Sequence, residues 1–162
     1  MKKVIRGLIA VAAMAILVSA CQSYDDISTV LGTDVSSAKV ISKGDDHGGF
    51  HGDGERYIEF EFEDDTFENT IKEDNTWHAF PVKDDAVTAL LYGLETPEMT
   101  YGPYLEHEMP KVEKGYYFFY DRHSESSDPF DSFEVLDRSS LNFTVAVYDT
   151  ETDKLYYAEM DT

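Results

Sequence analysis

In the stretch Glu55 to Glu63, ERYIEFEFE, apolar and polar residues alternate strictly from Ile58 onward. Ile58, Phe60 and Phe62 fall on one side of an extended chain, and Tyr57, Glu59 and Glu61 fall on the other. A helix would scatter these residues around its circumference, whereas a strand with one buried face satisfies all of them. The chain is thereby committed to a sheet, and the segments around this one must supply the neighbouring strands. Ala38 to Lys43 reads as a short strand before it. The two are joined through Gly48, Gly49, Gly52 and Gly54, a density of glycine that argues for a hairpin loop and against a helix.

Downstream, the period changes. Asp64 and Asp65 offer N-caps, Asp65 and Glu68 have capping-box spacing, and Phe67 with Ile71 marks a short amphipathic helix ending near Asp74. Asn75 to Val82 reads as a connection. A second helix, capped by Asp84 or Asp85, carries Val87, Leu90 and Leu91 and closes at Gly93. Leu94 to Lys114 holds three prolines and no clear period, so it is either a functional loop or hides a helical turn around Tyr104 to His107. Gly115 to Arg122 is apolar on both faces and reads as a central strand. After an acidic loop from His123 to Ser140, Leu141 to Asp149 and Lys154 to Met160 form a C-terminal hairpin. The order ββ-αα-βββ predicts an α+β fold, a five-stranded antiparallel sheet with two helices packed on one face.

Short connections join antiparallel neighbours. On that rule the Gly/His loop (44–54), the Asn75–Val82 connection and the His123–Ser140 loop share one end of the fold. They carry His47, His51, His78 and His123, while His107 falls at the opposite end.

The N-terminus is of another kind. Lys2, Lys3 and Arg6 precede an apolar run from Gly7 to Val18, which is too short for a bilayer span and suits the h-region of a signal peptide. Val18-Ser19-Ala20-Cys21 then resembles the lipobox of bacterial lipoproteins, and it contains the chain's one cysteine. The resemblance implies cleavage before Cys21 and diacylglycerol on its sulfur. It also implies residence at the cell membrane, lipid-anchored on the extracytoplasmic face. The expected organisation is a signal peptide over 1–20, the lipidated cysteine and a tether over 21–36, and a single α+β domain over 37–162. Loss of the leader takes three of 13 basic residues and none of 33 acidic ones, leaving a formal charge of −23. Such a polyanion repels nucleic acid.

Four kinds of chemistry compete for the remaining signals. His47 and His51 with Asp53, joined by His123, could hold a divalent cation, calcium or zinc. The spacing of these residues matches no helical zinc motif and no EF-hand. Asp121, His123 and Ser139 or Ser140 contain the residue types of a hydrolase triad, at no spacing that requires one. Long acidic loops rich in tyrosine suit contact with an envelope protein or an extracellular ligand, with Asp45, Asp46, Trp77 and His78 as candidate contacts. Arg122 and Arg138 are scarce cations beside aspartates, suited to ion pairs or to an anionic ligand.

Taken together, HGGFHGDGE (His47–Glu55), Trp77 with Pro81, GYYFFYDRH (Gly115–His123) and RSSLNFTVAVYD (Arg138–Asp149) resemble small lipoproteins of Gram-positive bacteria without an assigned activity. The resemblance implies one α+β domain and transfers no catalytic residue. The expected function is a membrane-anchored, non-enzymatic binding domain. A cation-binding lipoprotein using the Gly/His loop is the alternative, and a hydrolase is third.

Overall fold

The structure, a computed structural model, describes residues 24–48 and 52–162. The expected leader, Cys21 and His51 lie outside those residues. The described elements run α1 (Asp25–Leu31), β1 (Lys39–Asp45), β2 (Gly54–Glu61), α2 (Thr66–Glu73), β3 (Trp77–Ala79), α3 (Asp85–Tyr92), β4 (Leu94–Glu95), β5 (Thr100–Tyr101), β6 (Gly115–Asp121), β7 (Asn142–Asp149) and β8 (Lys154–Asp161). Six strands form an antiparallel sheet in the order β1-β2-β8-β7-β6-β3, and β4 with β5 forms a separate ribbon.

This corrects the expectation of five strands with two helices on one face. The sheet has six strands, three α-helices and one 3-10 turn (Val135–Asp137) are present among the described residues, and the α-helices cover both faces. The physical reason lies in β7, where every residue from Phe143 to Tyr148 is buried. Two helices on one face would leave Phe143, Val145 and Val147 in water, at roughly 2 kcal/mol for each large apolar side chain. Instead α1 and α2 bring Ile27, Leu31, Phe67 and Ile71 onto Phe60, Phe118, Tyr148 and Tyr157. On the other face, α3 and the following segment bring Leu90, Leu91, Leu105 and Met109 onto Tyr57, Phe119, Phe143, Val145 and Val147.

Helix α1 occupies the stretch read as tether. Ile27 and Leu31, four apart, are fully buried, as is Val35 beyond them. Gly32 ends the helix in the left-handed conformation (φ 66°), where a side chain would be strained. Asp25 and Asp26 lie in the first turn, favourable for the helix dipole. Strand β3 is only three residues long, too short for alternation to show. Trp77 locates it, pairing opposite Phe118 and donating its indole N–H to the Leu31 carbonyl at 3.3 Å. The caps also differ in part. Asp84 accepts from the Val87 N–H at 3.0 Å, as expected of an N-cap. Asp65 makes no side-chain cap bond, and Asp64 instead accepts from the Thr66 N–H at 2.9 Å.

Candidate functional site

The Gly/His hairpin is held more tightly than its composition suggests. Beyond β1 and β2 the ladder continues, with the Asp46 N–H donating to the Glu55 carbonyl at 3.0 Å and the Gly48 N–H to the Asp53 carbonyl at 3.2 Å. Asp46 Oδ1 accepts from the Glu55 N–H at 2.5 Å. Gly54 makes the close approach possible: with φ at 154°, a Cβ there would sit 2.5 Å from His47 Cα.

His47 fastens this hairpin to the end of the sheet. Its Nδ1 is 2.9 Å from Asp45 Oδ1, and its Nε2 is 3.1 Å from Asp161 Oδ2, at the end of β8. Arg122, just past β6, donates from Nη2 to the same Asp161 oxygen at 3.0 Å, and to the carbonyls of Phe143 and Met160. Both ring nitrogens thus face carboxylates, and only the imidazolium can donate to both. Partial burial lowers the imidazole pKa, but the bonds to Asp45 and Asp161 and their charges outweigh it, and the net shift is upward from 6.5. The folded protein therefore keeps this proton to higher pH than the unfolded chain. The clasp's contribution is complete below 6.5 and is lost as pH rises through the raised value. Amide exchange at Gly48 and Glu55 should accelerate over that rise, relative to the sheet centre, and His47→Gln should abolish the dependence. An exchange profile that stays flat with pH would exclude the clasp.

Beside this clasp is a cleft of about 300 Å³ lined by Gly44, Asp45, Asp46, Glu55, Tyr57, Glu106 and His107. Glu55 is its buried carboxylate, and Tyr57 beside it is buried as well. The Glu55 carboxylate accepts from the backbone N–H groups of Glu106 at 2.6 Å and His107 at 3.1 Å, and so pins the long proline-containing segment to β2. Burial pushes the Glu55 carboxyl pKa up, against the pull of those two N–H bonds. The His107 ring stacks on Tyr57 with centroids 3.5 Å apart. His107 therefore sits at the Gly/His end, not the opposite end. The Leu94–Lys114 segment doubles back over the sheet instead of following the shortest path between elements.

The other expected residues are dispersed. Trp77 is buried in the core. His78 lies on β3, the far edge strand, with its ring 5.4 Å from that of Tyr117. Edge strands β1 and β3 are five spacings apart, about 24 Å, so Trp77 and His78 cannot share the Gly/His cleft. Arg138 pairs with buried Asp121, and Arg122 is engaged as described, so both act as structural cations. Asp121 meets His123 through the His123 backbone N–H, and the His123 ring nitrogen Nδ1 accepts from the Glu125 N–H. The imagined triad contact between carboxylate and imidazole is not formed.

Among the described residues, the one group of three imidazole or carboxylate side chains with mutually close ligand atoms is Asp65, Glu68 and Asp153. Glu68 there is paired with Lys72, and Asp153 accepts from Tyr148. That group includes neither His47, Asp53 nor His123. Sequence reading missed Glu55, Tyr57, Glu106, His107 and Asp161. Tyr57 was the available signal, a large aromatic on the nominally polar face of ERYIEFEFE.

No protein-family model matches the chain, and no curated protein and no solved structure shows significant similarity to it. The fold and site define an α+β domain, with an acidic cleft where the first hairpin and the 94–114 segment meet at one end of a six-stranded antiparallel sheet.

Proposed function

We propose that this protein is a lipid-anchored extracytoplasmic domain that binds a ligand or an envelope partner, without catalysis, in the cleft between the Gly/His hairpin and residues 106–107. The carrying observation is the cleft itself, in which two long-range segments meet and side chains of several chemistries converge. Its one buried carboxylate is committed to two backbone N–H groups, which suits a rigid binding wall better than a proton-transfer group. Lipid attachment at Cys21 rests on the leader and the lipobox resemblance. No helix among the described residues is long and apolar enough to cross a membrane.

Two measurements test the proposal. Intact mass of the chain expressed with its leader in a bacterial host should show diacylglycerol on Cys21. Residues 24–162 should be titrated calorimetrically with a short oligolysine peptide, which complements the acidic lining, and with calcium and zinc chlorides. Saturable heat with the peptide, lost in Asp46→Asn/Glu106→Gln, is the expected result. Heat that persists in the double variant would place binding elsewhere, and heat with the metal ions alone would favour the cation reading.

A further inference from the structure

We propose that the β1 edge of the sheet, beside the start of α1, is the face that rests on an anionic lipid surface. The inference builds on lipid attachment at Cys21.

Covalent geometry gives the first argument. Cys21 precedes Tyr24 by three residues, so even a fully extended chain keeps their Cα atoms within about 11 Å. The place where Tyr24 sits is therefore the place nearest the bilayer. Tyr24 packs edge-on against Phe60 of β2, with centroids 5.2 Å apart, and lines a surface cleft with Lys43, Gly44, Asp45, Arg56 and Ile58. Arg56 of β2 pairs with Asp26 and so pins the first turn of α1 above the β1–β2 pair. The anchor cannot swing to another side of the domain without undoing these contacts.

Charge and apolar exposure give the second. Strand β1 (Lys39–Asp45) carries two lysines, of which Lys39 pairs with Glu61 of β2 at 3.8 Å, and one aspartate, a locally positive strand in a chain whose formal charge is −20 and would be −23 after loss of the leader. Ile41, at the irregularity in the β1–β2 register, is 40% exposed and adds apolar surface between the lysines. By contrast, residues 123–137 carry five acidic residues and no lysine or arginine. That loop leaves β6, four strand spacings or about 19 Å from β1. A negative headgroup layer attracts β1 and repels this loop, and the field acts only within a Debye length of the surface. Phe133, 82% exposed on the same loop, is then held away from the membrane.

The test uses the full chain, processed in a bacterial host and reconstituted in vesicles of phosphatidylglycerol and phosphatidylethanolamine. The chain has one cysteine, whose sulfur is blocked by acylation, so Ile41→Cys, Ser42→Cys and Phe133→Cys each supply a single thiol for a fluorescent dye. Lipids bearing a nitroxide at the headgroup should quench the dye at 41 and at 42 and leave it bright at 133. Equal quenching at the two places, or quenching at 133 alone, in a chain whose mass confirms lipidation, would overturn the orientation. A chain without lipid on Cys21 would overturn the anchor and the orientation together.

Discussion

Arg138→Ala should destabilise the protein by about 3–5 kcal/mol, enough to threaten folding of a domain this size. Asp121, the partner of Arg138, has its side chain 1% exposed, and Arg138 is itself only 13% exposed. One Asp121 oxygen takes the Arg138 hydrogen bond, and the other accepts from the His123 N–H at 2.9 Å. The backbone of Asp121 also holds the acidic loop, donating to the Pro129 carbonyl at 2.7 Å. Removing the guanidinium strands a buried carboxylate, whose desolvation is then uncompensated. Urea unfolding should show the loss, and adding Asp121→Asn to Arg138→Ala should restore much of it, because the charge that needed the arginine is gone. A loss under about 1 kcal/mol would mean that the pair behaves as an ordinary surface ion pair.

Glu55→Ala should cost about 3 kcal/mol, because it leaves two backbone donors of the 106–107 segment without an acceptor in a partly buried site. The same substitution should free residues 104–109 from the sheet, since Leu105 and Met109 are buried only while that segment is docked. Glu55→Gln keeps an acceptor and removes the buried charge, so it should cost about 1 kcal/mol or less. The net upward shift of the Glu55 pKa reinforces this contrast. The folded state binds the Glu55 proton more tightly than the unfolded chain does. That contribution is complete below the ordinary value of 4.5 and fades as pH rises through the folded one. Denaturant melts and limited proteolysis of the three proteins would check it. Equal costs for Ala and Gln would show that the charge, not the acceptor, is what the segment needs.

The parts of the fold legible in the sequence are those whose information is local. The alternation in ERYIEFEFE, the i, i+4 pair Phe67/Ile71 and the Asp84 cap each need only a few neighbouring residues to be recognised, and each corresponds to an element of the structure. Helix α1 carried a readable signal as well, Ile27, Leu31 and Gly32, but its few apolar residues in a polar stretch read as a tether with room for one helical turn. Strand β3 had no such signal, since three residues cannot display a period.

The functional end was legible only in part. DDHGGFHGDGER announced a glycine-rich hairpin, and its glycines excluded a helical pair of histidines. Which residues would meet that hairpin was beyond local reasoning. His47 finds Asp161, 114 positions away, and Glu55 finds the 106–107 amides, more than 50 away. The topological argument from short connections misplaced His107 and the Trp77–His78 segment, because residues 94–114 are long enough to cross back over the sheet and β3 adds an extra edge.

By itself, then, the sequence determined the alternation that demands a sheet, the hairpin at residues 44–54, the acidic composition and the apolar N-terminal run that precedes the one cysteine, because each is written in composition or short-range spacing. Tertiary structure decided the sixth strand, the covering of both faces and the meeting of Glu55 with His107. It alone decided the carboxylates on either side of His47. These depend on which distant segments pay the least desolvation when brought together, a global property of the packed chain that no short window of residues contains.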